Sequence, residues 1–75
     1  MADATLDARG LTCPMPVLKA RKALQGLKPG ATLEVLATDP GAIRDFEALC
    51  EAAGHQLLSR GEQDGVLNFL IRRAA

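Results

Sequence analysis

Glycine and proline punctuate this sequence so closely that it can be read only as six short pieces. Residues 4–9 alternate, with Leu6 and Ala8 set against Thr5, Asp7 and Arg9, which predicts a strand. Residues 10–13 read as a loop. From residue 14 to 27, Val17, Ala20, Leu24 and Leu27 recur at helical spacing, while Lys19, Lys22 and Gln25 fall on the other side. Gly26, Pro29 and Gly30 stop that helix. The run TLEVLAT at 32–38 predicts a second strand. Asp39-Pro40 then reads as a helix start, with Asp39 as N-cap and Pro40 in the first helical position. Ile43, Phe46, Leu49, Cys50 and Ala53 share one face of this second helix, and Gly54 suits its C-terminal cap. Residues 55–60 and 66–72 are the last two strands, joined through a turn at Asp64-Gly65.

The order strand, helix, strand, helix, strand, strand restricts the architecture. A strand–helix–strand unit demands a parallel pair and a right-handed crossover. Two strands joined by a tight turn are antiparallel neighbours. The sheet is therefore expected to be mixed. Each helix has one apolar face, and both are buried most simply on the same side of the sheet. The expected fold class is α+β: a two-layer sandwich of βαβαββ order, with four strands and two helices on one face. Thr32, Glu34, Gln56 and Asn68 are expected to line the open face of the sheet.

Composition removes other classes. Seventy-five residues make one domain at most, expected to span 1–75. The chain is 48% hydrophobic, too apolar for a disordered tail. Nine basic residues balance nine acidic ones, and only two aromatics are present. Direct nucleic-acid binding is not expected of such a balance, nor is a base-stacking surface. The beginning MADATLDARG lacks the basic start and apolar run of a secretory signal, and no stretch approaches the ~20 apolar residues of a membrane span. A cytoplasmic location follows as the expectation. There Cys13 and Cys50 would be free thiols rather than a bridge. Two Cys and one His fall short of the usual four zinc ligands, so neither a metal nor a cofactor is expected.

The chemistry concentrates in Leu11-Thr12-Cys13-Pro14-Met15-Pro16-Val17. With Pro14 as first helical residue, Cys13 becomes the N-cap. Pro14 and Pro16 remove two of the four orphan N–H donors of the first turn, while Met15 and Val17 keep theirs. A Cys13 thiolate would accept from at least one of them and would sit at the positive end of the helix dipole. Helix N-termini and nearby cations lower a thiol pKa from about 8.5, so Cys13 is expected to be an activated nucleophile. Charge follows the same division. Between residues 8 and 33 the only charges are Arg9, Lys19, Arg21, Lys22 and Lys28, all positive. Such a patch could steer an acidic partner protein, with Arg9, Lys19, Arg21 and Lys22 as candidate docking residues.

Plainer readings stand beside these. Cys50 shares its helical face with Ile43 and Phe46 and reads as core packing. Pro14 and Pro16 also serve as ordinary helix starters. Lys19, Lys22 and Lys28 suit a solvated face as well as a docking site. His55 follows a helix cap and reads as structural or exposed.

Taken together, these residues resemble a known family. Cys13-Pro14-Met15-Pro16 is similar to the Cys-Pro-x-Pro motif of the TusA/SirA-like sulfur carriers. The lead-in Leu6-Asp7-x-x-Gly10-Leu11-x-Cys13 resembles that family too. So do Asp39-Pro40, Asp45-Phe46 and Cys50 of the second helix, Gly54-His55-x-Leu57, and Leu70-Ile71-Arg72-Arg73. The resemblance covers essentially the whole chain. It implies a two-layer fold similar to the C-terminal domain of translation initiation factor 3. It implies a sulfurtransferase whose motif cysteine, here Cys13, takes sulfane sulfur as a persulfide. The implied partners are a donor protein, a cysteine desulfurase or rhodanese, and an acceptor sulfurtransferase. Members tied to transfer RNA thiolation often carry Glu where Met15 stands here. The pathway stays open among transfer RNA thiolation, molybdenum cofactor maturation and oxidation of reduced sulfur compounds.

Two other functions compete. One is a non-catalytic regulatory or RNA- or protein-binding module in which Cys13 is structural. The other is a redox protein in which Cys13 and Cys50 form a transient disulfide, which needs their Cα atoms within about 7 Å.

Overall fold

The computed structural model describes residues 2–74. Its elements are β1 (Ala4–Ala8), α1 (Met15–Gln25), β2 (Thr32–Ala37), α2 (Ala42–Ala53), β3 (Gln56–Gln63) and β4 (Val66–Arg72). They form one four-stranded sheet in the order β1-β2-β4-β3. β1 runs parallel to β2, whereas β4 is antiparallel to both β2 and β3. This is the expected α+β sandwich with its mixed sheet.

Alternation sets which face is covered. Leu33, Val35 and Ala37 of β2 pair with Ile71, Phe69 and Leu67 of β4, and all six are buried. Ala20 and Leu24 of α1 and Ala42, Phe46 and Cys50 of α2 close over the same face. Phe46 and Phe69 meet with ring centroids 4.6 Å apart, fixing α2 to the middle of the sheet. Thr32, Glu34 and Asn68 lie on the opposite face and are only partly buried; Gln56, paired with Arg72 at its edge, is exposed. Ala53, expected on the apolar face of α2, is exposed at the helix end.

The boundaries correct several expectations. Cys13 is not the N-cap of α1: Pro14 occupies that place, and Met15 is the first helical residue. The N–H of Met15 goes to the carbonyl of Thr12 at 2.8 Å, not to Cys13. The Cys13 side chain is claimed by α2 instead, as shown below. Nor is Asp39 the N-cap of α2. Gly41 is, and Asp39 makes the turn before it by accepting the Gly41 N–H at 3.0 Å. α1 ends at Gln25, where the N–H of Gly26 turns back to the Ala23 carbonyl at 3.1 Å. β3 runs three residues past its expected end at Arg60, because pairing with β4 continues through Gly61, Glu62 and Gln63. Asp64 and Gly65 both take positive φ, 53° and 80°, as a two-residue hairpin with right-handed strand twist requires.

Candidate active site

Parallel pairing of β1 and β2 brings the ends of both strands to the same edge of the sheet. The loop into α1 and the loop into α2 therefore lie side by side. Gly10 turns the first of these with φ of 80°, and its N–H donates to Oγ1 of Thr38 at 2.9 Å. The N–H of Cys13 donates to Oδ2 of Asp39 at 2.5 Å. One carboxylate thus ties the two loops, receiving Cys13 on one oxygen and Gly41 on the other. These two N–H groups hold the Asp39 carboxyl below its usual range.

Cys13 is exposed. Its thiol Sγ donates a hydrogen bond to Oδ2 of Asp45, one turn into α2. This reverses the expectation of a lowered thiol pKa. The Cys13 pKa is raised, first by the hydrogen bond to Asp45, then by desolvation, then by the charges of Asp45 and Asp39. The sequence reading placed the thiol over the dipole of its own helix. The fold turns it instead toward two carboxylates from another part of the chain.

Cys13 opens onto a shallow depression that it shares with Pro40, Gly41, Ile43, Arg44, Asp45, Glu47 and Arg60. Across it, Arg60 pairs with Glu47 at 3.2 Å. A Cβ added at Gly41 would stand 3.6 Å from the Cβ of Cys13, so glycine there keeps one flank of the thiol clear. On the other side of Asp45, a second groove between the helices is lined by Pro14, Val17, Leu18, Arg21, Ala48 and Leu49. Met15 and Leu18 are 42% and 49% exposed. Met15, Leu18, Lys19 and Lys22 stand at i, i+3, i+4 and i+7, one outward stripe of α1. Pro16 is buried beneath that stripe, and Pro14 is exposed beside the thiol. Arg9 lies apart from it, at the end of β1, held by both oxygens of Asp7 at 2.9 Å.

Cys50 is buried in the core, and burial pushes its thiol pKa up. His55 accepts the N–H of Ala74 on Nδ1 at 2.9 Å, a structural tie near the chain end. Sequence reasoning treated Asp45 only as part of a resemblance and passed over Gly41, Glu47 and Arg60. The usable signal was the position of Asp45, beside the core residue Phe46 in the first turn of α2, which directs its side chain away from the core.

The family described as Sulfurtransferase TusA matches residues 4–73. This chain belongs to that family. It is 51% identical over 72 residues to a chain from Neisseria meningitidis, covering 96% of this chain and 97% of that one. It is 43% identical over 72 residues to the sulfur carrier protein TusA of Allochromatium vinosum, covering 96% and 95%. Among solved structures, a SirA-like protein from Desulfitobacterium hafniense superposes with a TM-score of 0.85 at 32% identity, covering 96% of this chain and 99% of that one. The TusA family is one of sulfur carriers, whose work involves sulfur donors and acceptors.

Proposed function

We propose that Cys13 is the sulfur-carrying residue: it accepts sulfane sulfur as a persulfide and relays it to an acceptor protein. One observation carries this reading. Of the two free thiols, Cys13 alone is exposed, and it lies in an open depression rather than an enclosed pocket. A group that must meet a donor protein and then an acceptor protein needs that access. In uptake the Cys13 thiolate attacks the outer sulfur of the donor persulfide. The donor's S–S bond breaks, and the donor thiolate leaves and takes up the proton. Release to an acceptor thiolate reverses the roles, so no external oxidant enters either step.

The stripe of Met15 and Leu18 with Lys19, Arg21 and Lys22 around it is the docking surface in this reading, an apolar centre with a polar rim. Arg9 contributes less, because Asp7 offsets its charge. Pro14, Met15 and Pro16 hold the thiol at the head of α1. Residues 1–75 act as a single sulfur-carrier domain in the cytoplasm; no helix among the described residues is long and apolar enough to cross a membrane. The donor is a cysteine desulfurase or rhodanese. The destination is transfer RNA thiolation, molybdenum cofactor maturation or oxidation of reduced sulfur.

Intact-mass analysis after incubation with a cysteine desulfurase and cysteine, or with thiosulfate and a rhodanese, tests this. Wild type and Cys50→Ser should gain one reducible sulfur atom, and Cys13→Ser should gain none. Uptake by Cys13→Ser at the wild-type rate would overturn the assignment. RNA affinity retained in Cys13→Ser without any sulfur uptake by wild type would favour a binding module instead.

A further inference from the structure

The carboxylate of Asp45 accepts the thiol hydrogen of Cys13, and nothing in the transfer chemistry above accounts for it. An activated cysteine ordinarily has a cation or a helix N-terminus against its sulfur, because the thiolate is the reactive form. Here the sulfur faces an anion. The charged groups lining the depression are Arg44, Asp45 and Glu47 from α2 and Arg60 from β3; Asp39, from the turn before α2, adds its charge through the Cys13 backbone N–H it accepts. Arg60 is paired with Glu47, and the first turn of α1, from Met15 to Leu18, brings no charge. The group that touches Sγ is a carboxylate.

The useful consequence lies in the second half of the relay. When an acceptor thiolate attacks the outer sulfur of a persulfide on Cys13, the bond between that sulfur and Sγ breaks. The electron pair stays on Sγ, which departs as the leaving group and takes up a proton. Thiols that ionise less readily leave more slowly. Resting on the reading of Cys13 as the carrier, we propose that Asp45 sets how long Cys13 keeps its sulfur: the carboxylate against Sγ makes Cys13 a reluctant leaving group. The loaded carrier then gives up its sulfur slowly to an attacking thiol, small cellular thiols included. The same contact keeps the unloaded thiol protonated and slow toward small electrophiles. The raised pKa of Cys13 agrees with this geometry.

Asp45→Asn keeps the shape of the side chain and removes its charge. The first measurement is the rate of Cys13 alkylation by iodoacetamide across pH, with peptide mapping assigning the label. The profile of Asp45→Asn should move to lower pH, with labelling at neutral pH about threefold faster, since a larger thiolate fraction is partly offset by lower nucleophilicity. Asp45→Glu should stay near wild type. The second measurement loads the persulfide and follows its loss to glutathione by intact mass; Asp45→Asn should lose sulfur about threefold faster. Circular dichroism checks the fold, and Asp45→Ala repeats both measurements should the Asn variant unfold. Superimposable alkylation profiles, or equal rates of sulfur loss, would overturn the role of Asp45. A wild type that takes up no sulfur from any donor, yet shows the shifted alkylation profile on substitution, would overturn the carrier reading and the retention role with it. Its hold on the bare thiol would stand.

Discussion

Cys13 and Cys50 are both held as thiols, and the reasons differ. Cys50 lies in the apolar core, where burial alone disfavours the anion. Cys13 is exposed, and its thiol is pushed the same way chiefly by a carboxylate hydrogen bond. The direction of the shift is shared; the consequence is opposite. A thiol kept neutral by burial is inert because nothing reaches it. A thiol kept neutral by one partner on an open surface becomes reactive whenever that partner is displaced. A sulfur pKa taken alone therefore says little about use, whereas its cause says a great deal.

The largest test of this contrast is alkylation of the native protein. Cys13 should react faster than Cys50 by on the order of a hundredfold or more, because Cys50 must wait for the structure to open. Similar rates in native buffer, read by peptide mapping, would break the comparison. Next comes stability. Cys50→Ser puts a hydroxyl into the core and should cost about 1–3 kcal/mol, more than Cys50→Ala, by chemical denaturation. Cys13→Ser, changed at the surface, should leave the denaturation midpoint nearly unmoved. The smallest effect is alkaline. The folded-state pKa of Cys50 is raised above its unfolded value, so between the two the folded state binds the extra proton. The stability this contributes is complete below the unfolded thiol pKa, about 8.5, and is lost as pH rises toward the folded value. Cys50→Ala should therefore flatten the decline in melting temperature above that pH.

Where local pattern governs, the sequence is a good guide. β4 begins and ends where its alternation predicts, and the helices bury the same sheet face that their apolar stripes require. β3 is less legible. A register shift between Leu57 and Ser59 breaks its alternation and leaves Leu58 40% exposed, so its polar second half carries no strand signal of its own. The helix starts fail for a related reason. Cys13-Pro14 and Asp39-Pro40 each read as a cap followed by a first helical residue, but the two loops bond to each other rather than each to its own helix. The proposal of Cys13 as the sulfur-carrying residue starts from its motif, and its exposure agrees with that. Its electrostatics are not legible there, because Asp45 lies 32 positions away and only the docking of α2 brings it near. Reasoning from a local dipole gives the wrong sign once a distant anion is in contact.

The ring pair in the core gains a second meaning from this. Phe46 is fully buried against Phe69 of β4, and Asp45 is the residue immediately before it. Among the described residues the carboxylate bonds to Cys13 and not to the sheet. It stands where it does because an aromatic neighbour is seated there, as the hand of a clock is placed by its spindle. The buried ring and the carboxylate that meets the sulfur are consecutive residues of one helical turn. The partner of the surface thiol thus stands one residue from the protein's most deeply seated ring.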